Sequence, residues 1–233
     1  ERMNRKKRAL LQIPILTRSI PRLRKNMKEV RTAILGGSFD PVHLGHLFLL
    51  HCAVSMTKYG RFLLVPAKVS NFKQNSRPKA SDEDRLAMLE LALEDYKDIY
   101  PADRNAEIEI SAIELDRGGV SYTSDTVRFL KENLYSDKSQ LRIGLIMGDD
   151  HISGLCNWHD FEYLKGNVDF IICRRNASKN LWEDIPKGIH YTKLEPEEVA
   201  PQSSSFIRED LNGSWDFLSK RVKSYVKEKN LYI

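Results

Sequence analysis

Apolar and polar positions along this chain fall into two alternating kinds of segment. Short, largely apolar runs recur at residues 30–35 (VRTAIL), 61–66 (RFLLVP), 141–147 (LRIGLIM) and 168–173 (VDFIIC). Runs of that length read as parallel strands buried on both faces. Residues 107–115 (EIEISAIEL) alternate apolar with polar and predict a half-buried strand, and residues 188–194 predict a last one. Between them lie segments with helical spacing. Residues 44–56 (LGHLFLLHCAVSM) have the length and apolar density of a helix packed on a sheet. Ser81 to Asp84 opens a scaffold helix carrying Leu86, Met88, Leu89, Leu91, Ala92 and Leu93. Gly118 and Gly119 predict a turn, followed by a helix that starts near Thr123 and buries Val127, Leu130 and Leu134. Residues 158–164 (WHDFEYL) predict a short amphipathic helix, residues up to about 212 another, and residues 215–230 a closing one with Phe217, Leu218, Val222, Tyr225 and Val226 inward. Strand and helix alternate throughout. That order predicts one α/β domain over residues 29–233, with a Rossmann-like, doubly wound parallel sheet and helices on both faces.

The first strand runs into Gly36–His46, GGSFDPVHLGH. Gly36 and Gly37 are expected to take positive φ and to let backbone N–H groups approach a ligand. Pro41 fixes a corner of the loop. His43 and His46 stand three residues apart at the start of the helix, so both imidazoles face the positive end of its dipole, where phosphate binds. The loop is neither GxxxxGK[ST] nor GxGxxG. An isolated histidine at a helix start is ordinarily a cap or a surface residue. Two of them, spaced HxGH directly after a glycine turn, point to chemistry on a phosphate.

Two later stretches belong with this turn. The strand at 141–147 ends in Gly148, Asp149 and Asp150, and ligands of open α/β sheets bind beyond the carboxyl ends of strands. Adjacent acids after a strand also serve as plain helix caps. In QSSSFIR (202–208), serine hydroxyls and free N–H groups at a helix start lie one turn from Arg208, a unit that grips polyphosphate. Taken alone, the same residues read more readily as a serine cap with a surface arginine.

Composition narrows the class. The chain has 233 residues, enough for a core that needs no disulfide or structural metal. Cys52, Cys156 and Cys173 form no CxxC pair, which fits a reducing cytoplasm, and no apolar run reaches the roughly 18 residues of a membrane span. The net charge of +5 is unevenly placed. Residues 1–28 hold ten lysines and arginines against one acid, and the remainder holds 27 basic against 31 acidic residues. This basic extension could touch nucleic acid or an anionic surface. The plainer expectation is a solvated extension ahead of a start at Met27, since few aromatics accompany the charge, and nucleic acid is not expected as a partner. A homo-oligomer is left open.

GGSFDPVHLGH resembles the GxFDPxHxGH signature of the nucleotidyltransferase superfamily. With SYTSDTV (121–127), the 148–150 turn, Trp158, QSSSFIR and the closing VKSYVKEKNLY, the chain from Val30 to Tyr232 resembles the bacterial nicotinate mononucleotide adenylyltransferases. The resemblance implies AMP transfer from ATP to nicotinate mononucleotide, giving deamido-NAD and pyrophosphate, with Mg²⁺ carried on the ATP phosphates and no residue assigned to a metal. It implies that His43, His46 and Arg208 are catalytic. It further implies that Gly37, Ser38, Phe39, Lys73, Asp150, Ser204 and Ser205 bind ATP, and that Thr123, Trp158 and Arg175 bind the mononucleotide. The family's PPHK is SNFK here, its RPG is Arg175-Asn176-Ala177, and its ISSTxIR is QSSSFIR. None of these departures removes a charge the chemistry needs. Two other readings remain: a related adenylyltransferase preferring nicotinamide mononucleotide or another phosphate acceptor, and a silent nucleotide-binding regulator with a nucleic-acid-binding tail. A silent regulator could lose a histidine or Arg208, and all three are present.

Overall fold

The computed structural model describes residues 30–70, 78–134, 141–175, 181–198 and 203–232. The basic extension, Lys73, Asn176, Ala177 and Gln202 lie outside these residues, as does the side chain of Leu134. Six strands form one sheet in which every neighbouring pair is parallel: β1 (Thr32–Gly37), β2 (Arg61–Pro66), β4 (Glu107–Ile110), β6 (Ile143–Gly148), β7 (Val168–Cys173) and β8 (His190–Leu194). Their spatial order is β4-β2-β1-β6-β7-β8. The winding direction therefore reverses between β1 and β6, and the reversal opens a crevice at their carboxyl ends. Two short strands, β3 (Val69–Ser70) and β5 (Val120–Ser121), pair in parallel as a separate ribbon.

Alternation along each strand sends successive residues to opposite faces. On one face Ala33, Leu35, Phe62, Leu64 and Ile171 pack with α1 (Leu44–Met56), α2 (Asp82–Ile99) and α8 (Lys220–Glu228). On the other, Ile34, Leu63, Leu145, Phe170 and Ile172 pack with Val127 and Leu130 of α4 (Thr123–Leu134) and Leu164 of α5 (Phe161–Asn167). Both faces are covered, as the continuous apolar strands require. Helix α2 starts at Ser81, whose Oγ accepts the Asp84 N–H at 3.0 Å, with Asp82, Glu83 and Asp84 at the positive end of the dipole. Among the described residues no helix is long and apolar enough to cross a membrane.

Three local expectations are corrected. The strand expected over 107–115 ends at Ile110, and α3 (Ile113–Arg117) follows, because β4 pairs only along Arg61–Leu64 of β2 and the chain then leaves the sheet edge. The helix expected over 158–164 begins only at Phe161. Trp158 instead ends a 3₁₀ segment over Asp149–Asn157, and left-handed Asp160 (φ 51°) separates the two. Gly36 and Gly37 do not take positive φ, because both remain in the ladder opposite Val65 and Pro66. The left-handed residue of that loop is Phe39, at φ 46°. A Cβ on Gly37 would touch the Phe39 ring at 3.4 Å, whereas one on Gly36 would meet nothing within 4 Å, on the wall of the crevice.

Candidate active site

The crevice holds a cavity of about 340 Å³, within the roughly 300–1,000 Å³ usual for small-molecule sites. Its floor is the end of β1 (Leu35–Gly37) and the end of β6 (Leu145–Gly148), which is the switch point of the sheet. His43 and His46 enter from the first turn of α1, with ring centroids 3.8 Å apart. His46 Nδ1 accepts the His43 backbone N–H at 3.2 Å. A neutral His46 must then carry its proton on Nε2, so its tautomer is set by the helix start. His43 is 3 % exposed, and its Nδ1 has no partner among the described residues. Burial holds this imidazole well below its usual value of 6.5, and His46 and Arg175 push it further the same way. It is therefore neutral until an anion arrives to favour the charged form.

The carboxy-terminal motif folds back onto the amino-terminal one. Helix α6 (Ser204–Glu209) is capped by Ser203, whose Oγ accepts the Phe206 N–H at 3.2 Å. Ser204 Oγ donates to the Pro41 carbonyl at 3.0 Å, Arg208 Nη1 donates to the Asp40 carbonyl, and Arg208 Nη2 donates to Ser205 Oγ at 3.3 Å. Ser203 and Ser204 line the cavity beside His43 and His46, so segments some 160 residues apart in sequence meet at one wall. Ser205, Phe39 and Arg208 stand behind that wall: Phe39 is buried with its ring 4.8 Å from His46, and Arg208 lies 3.6 Å from the Asp40 carboxylate.

The β6 turn supplies a second pair of charges. Asp150 and Arg175 both line the cavity and pair at 3.3 Å, while buried Asp149 accepts the Arg175 N–H at 3.1 Å. Both side chains fold over Gly148. A Cβ there would lie 2.2 Å from Asp150 Oδ1 and 2.3 Å from Arg175 Cδ, so any larger residue would displace both side chains. Thr123, at the start of α4, and Trp158 also line the cavity. Their elements are tied by Ser124 Oγ to His159 Nδ1 at 3.0 Å and by the Tyr122 and His159 rings at 4.2 Å. Trp158 is 9 % exposed and belongs to the second core as well, so the core and ligand-facing readings of this tryptophan both apply.

Several cavity or supporting residues were not legible beforehand. Glu114 lines the cavity from α3, accepts Thr126 Oγ1 at 2.6 Å and is kept above the usual carboxylate range by burial. His151 lies edge-on to Trp158, with centroids 6.0 Å apart. Arg85, fully buried on α2, donates to the carbonyls of Ser38 at 2.8 Å and Ala67 at 2.7 Å and pairs with Asp82 at 2.7 Å. It thereby ties the ends of β1 and β2 together. A single arginine inside an otherwise scaffold-like helix was the only signal. Lys73 lies outside the described residues.

The chain has counterparts among known proteins. The cytidylyltransferase-like family model matches residues 34–210. A probable nicotinate-nucleotide adenylyltransferase of Treponema pallidum is 32 % identical over 213 residues, covering 87 % of this chain and 99 % of its own. One from Listeria innocua is 35 % identical over 202 residues, covering 87 % and 97 %. The solved nicotinic acid mononucleotide adenylyltransferase of Plasmodium falciparum, complexed with NaAD, superposes with a TM-score of 0.71 at 21 % identity, over 87 % of this chain and 97 % of that one, and so shares its fold. With the imidazole pair at the switch point and relatives that match over nearly their whole length, the chain belongs to the cytidylyltransferase-like family, among its nicotinate-nucleotide adenylyltransferases.

Proposed function

We propose that this chain transfers AMP from MgATP to nicotinate mononucleotide, forming deamido-NAD and pyrophosphate. The observation that carries this reading is the meeting of His43 and His46 with Ser203 and Ser204 at one end of a cavity that Thr123 and Trp158 also line. A 5′-phosphate oxygen of the mononucleotide attacks the α-phosphorus in line, the bond from that phosphorus to the bridging oxygen breaks, and pyrophosphate leaves with the electron pair. The attacking phosphate is already ionised at neutral pH, so no general base is needed, and catalysis is positioning plus charge stabilisation. His46, with its proton on Nε2, donates to the α-phosphate. His43 takes up a proton from solvent as the anionic phosphates arrive, and its cationic ring offsets their charge. Ser204 holds the β- and γ-phosphates, Ser205 and Arg208 turn in to them from behind the wall, and Gly37 and Ser38 line the nucleotide by backbone.

Magnesium enters as part of the substrate. It would be carried on the phosphate oxygens with few protein ligands and would supply neutralising charge there. On the acceptor side the Trp158 indole stacks on the pyridine, backbone N–H groups near Thr123 take the nicotinate carboxylate, and Arg175 neutralises the acceptor phosphate. The free thiols Cys52, Cys156 and Cys173 suit a reducing cytoplasm.

The test is pyrophosphate release from MgATP with nicotinate mononucleotide, nicotinamide mononucleotide and 4′-phosphopantetheine run in parallel. The expected result is turnover with nicotinate mononucleotide at least tenfold above the others in kcat/KM. Preference for either competitor would overturn the acceptor assignment. No turnover with any would overturn the reading as a whole.

A further inference from the structure

Beneath the triphosphate wall lies a buried carboxylate that the proposed chemistry does not use. Asp40 is 2 % exposed, and its side chain is held from three segments far apart in sequence. Oδ2 accepts the Lys79 N–H at 2.8 Å, and Oδ1 accepts the Ala80 N–H at 3.0 Å and the Tyr232 hydroxyl at 2.7 Å. Arg208 stands 3.6 Å from Oδ2, just beyond hydrogen-bond distance, while donating to the Asp40 main-chain carbonyl. A buried carboxylate draws cations strongly unless neutral donors fill its lone pairs. Asp40 and a bound triphosphate therefore compete for the same guanidinium.

The Tyr232 contact is held at a cost. Past α8, Asn230 at φ 51° and Tyr232 at φ 67° both take left-handed conformations, which turn the tyrosine back under the loop. Non-glycine residues keep such angles only where surrounding contacts over-determine them. The contacts here include the Leu231 N–H to the Val226 carbonyl at 3.0 Å, the Asn230 N–H to the Lys227 carbonyl at 3.3 Å and the hydroxyl bond to Asp40, and burial together with Asp40 and its negative charge raises the phenol well above its usual range, so it remains a donor at any physiological pH.

From this geometry we infer that Tyr232 is a positioning residue for the nucleotide: its hydroxyl fills Asp40 Oδ1, so that Arg208 is held by the Asp40 main chain and stays available to the triphosphate instead of collapsing onto the carboxylate. The inference rests on the reading of Arg208 as a phosphate ligand. It adds a residue outside the cavity lining, 192 positions along the chain from its partner.

The experiment measures MgATP binding by calorimetry in the full chain, which separates this inference from the identity of the acceptor. Tyr232→Phe, which keeps the ring, should weaken MgATP binding about tenfold and leave nicotinate mononucleotide binding within twofold. In an Arg208→Ala background the same change should cost less than twofold, because the guanidinium it protects is gone. Leu231→Ala, which loosens the same turn without touching the hydroxyl, should lower the melting temperature and leave MgATP affinity within twofold. The inference is overturned if Tyr232→Phe leaves MgATP affinity unchanged, weakens both ligands equally, or costs as much without Arg208 as with it. It is overturned as well if Tyr232→Phe abolishes the cooperative unfolding transition, since the hydroxyl would then be a folding element. Wild-type protein that binds MgATP but makes no dinucleotide refutes the proposed function and leaves this inference open to the same measurements.

Discussion

The two ends of the cavity are assembled by different physics. At the histidine end, buried charges are satisfied across long sequence separations: Arg85 takes the Ser38 and Ala67 carbonyls, Asp40 takes Tyr232, and Arg208 and Ser204 hold the Asp40 and Pro41 carbonyls. At the tryptophan end the charged tie, Arg128 to Asp160, is exposed, and the buried ties include a serine to a histidine, one ring stack, and a threonine on a buried acid. A preorganised set of charges and dipoles stabilises charge that develops during reaction. A shaped slot with an aromatic wall selects a ring. Damage at the first end should therefore appear in turnover, and damage at the second in acceptor affinity.

The sharpest break is His46→Ala. We expect kcat to fall a hundredfold or more, roughly 3 kcal/mol of lost transition-state stabilisation, with the melting temperature little changed. Steady-state kinetics with a thermal melt checks this, and retention of most turnover would remove His46 from the chemistry. At the other end, Trp158→Ala should raise the acceptor KM roughly ten- to a hundredfold, the scale of losing an aromatic stack of about 1–3 kcal/mol, and leave the KM for ATP within threefold. An equal rise in both KM values would erase the distinction between the ends.

How much of this was legible beforehand differs between the two ends for the same reason. His43, His46, Ser204 and Arg208 belong to compact motifs whose spacing is dictated by a helix start, so the chain order alone exposes them. What the order could not expose is which buried groups satisfy them. Arg85 reads as one more polar residue on an amphipathic helix, and Tyr232 as the tail of another, because long-range hydrogen bonds leave no periodic trace. Trp158 was expected on a helix because WHDFEYL has helical spacing, but the left-handed Asp160 interrupts it. Glu114 was hidden in an alternating stretch that reads as strand, but the chain leaves the sheet edge after Ile110. The sheet itself was the most legible part, since strands buried on both faces announce themselves as unbroken apolar runs.

Smaller effects sharpen the contrast through pH. In the unfolded chain His43 titrates near 6.5, whereas in the folded chain burial holds it well below that value. Between the two values the unfolded state binds more protons, so apo stability falls as pH drops below 6.5, by at most about 1.4 kcal/mol per pH unit from this group. MgATP favours the charged imidazole, so binding near pH 6 should take up a proton. Calorimetry in buffers of different ionisation enthalpy measures that uptake, and His43→Gln should abolish it. Identical uptake in the variant would assign the proton elsewhere.

Glu114 has the opposite sign and the smallest effect. Its folded value is raised by burial above the usual 4.5, so its contribution is full at pH 4 and is lost as pH rises through the folded value. Glu114→Gln, which still accepts from Thr126, should match the wild type in melting temperature near pH 4 and equal or exceed it at pH 8. A variant that loses stability only at pH 8 would contradict this.

The most direct measurement is a crystal structure with magnesium and α,β-methylene ATP. The account predicts the α-phosphate within hydrogen-bond reach of His46 Nε2, and the terminal phosphates against Ser204 and Ser205, with Arg208 turned toward them from its place beside the Asp40 main-chain carbonyl. A triphosphate that contacts the histidines but runs away from α6, with Arg208 still held by Asp40, would contradict it.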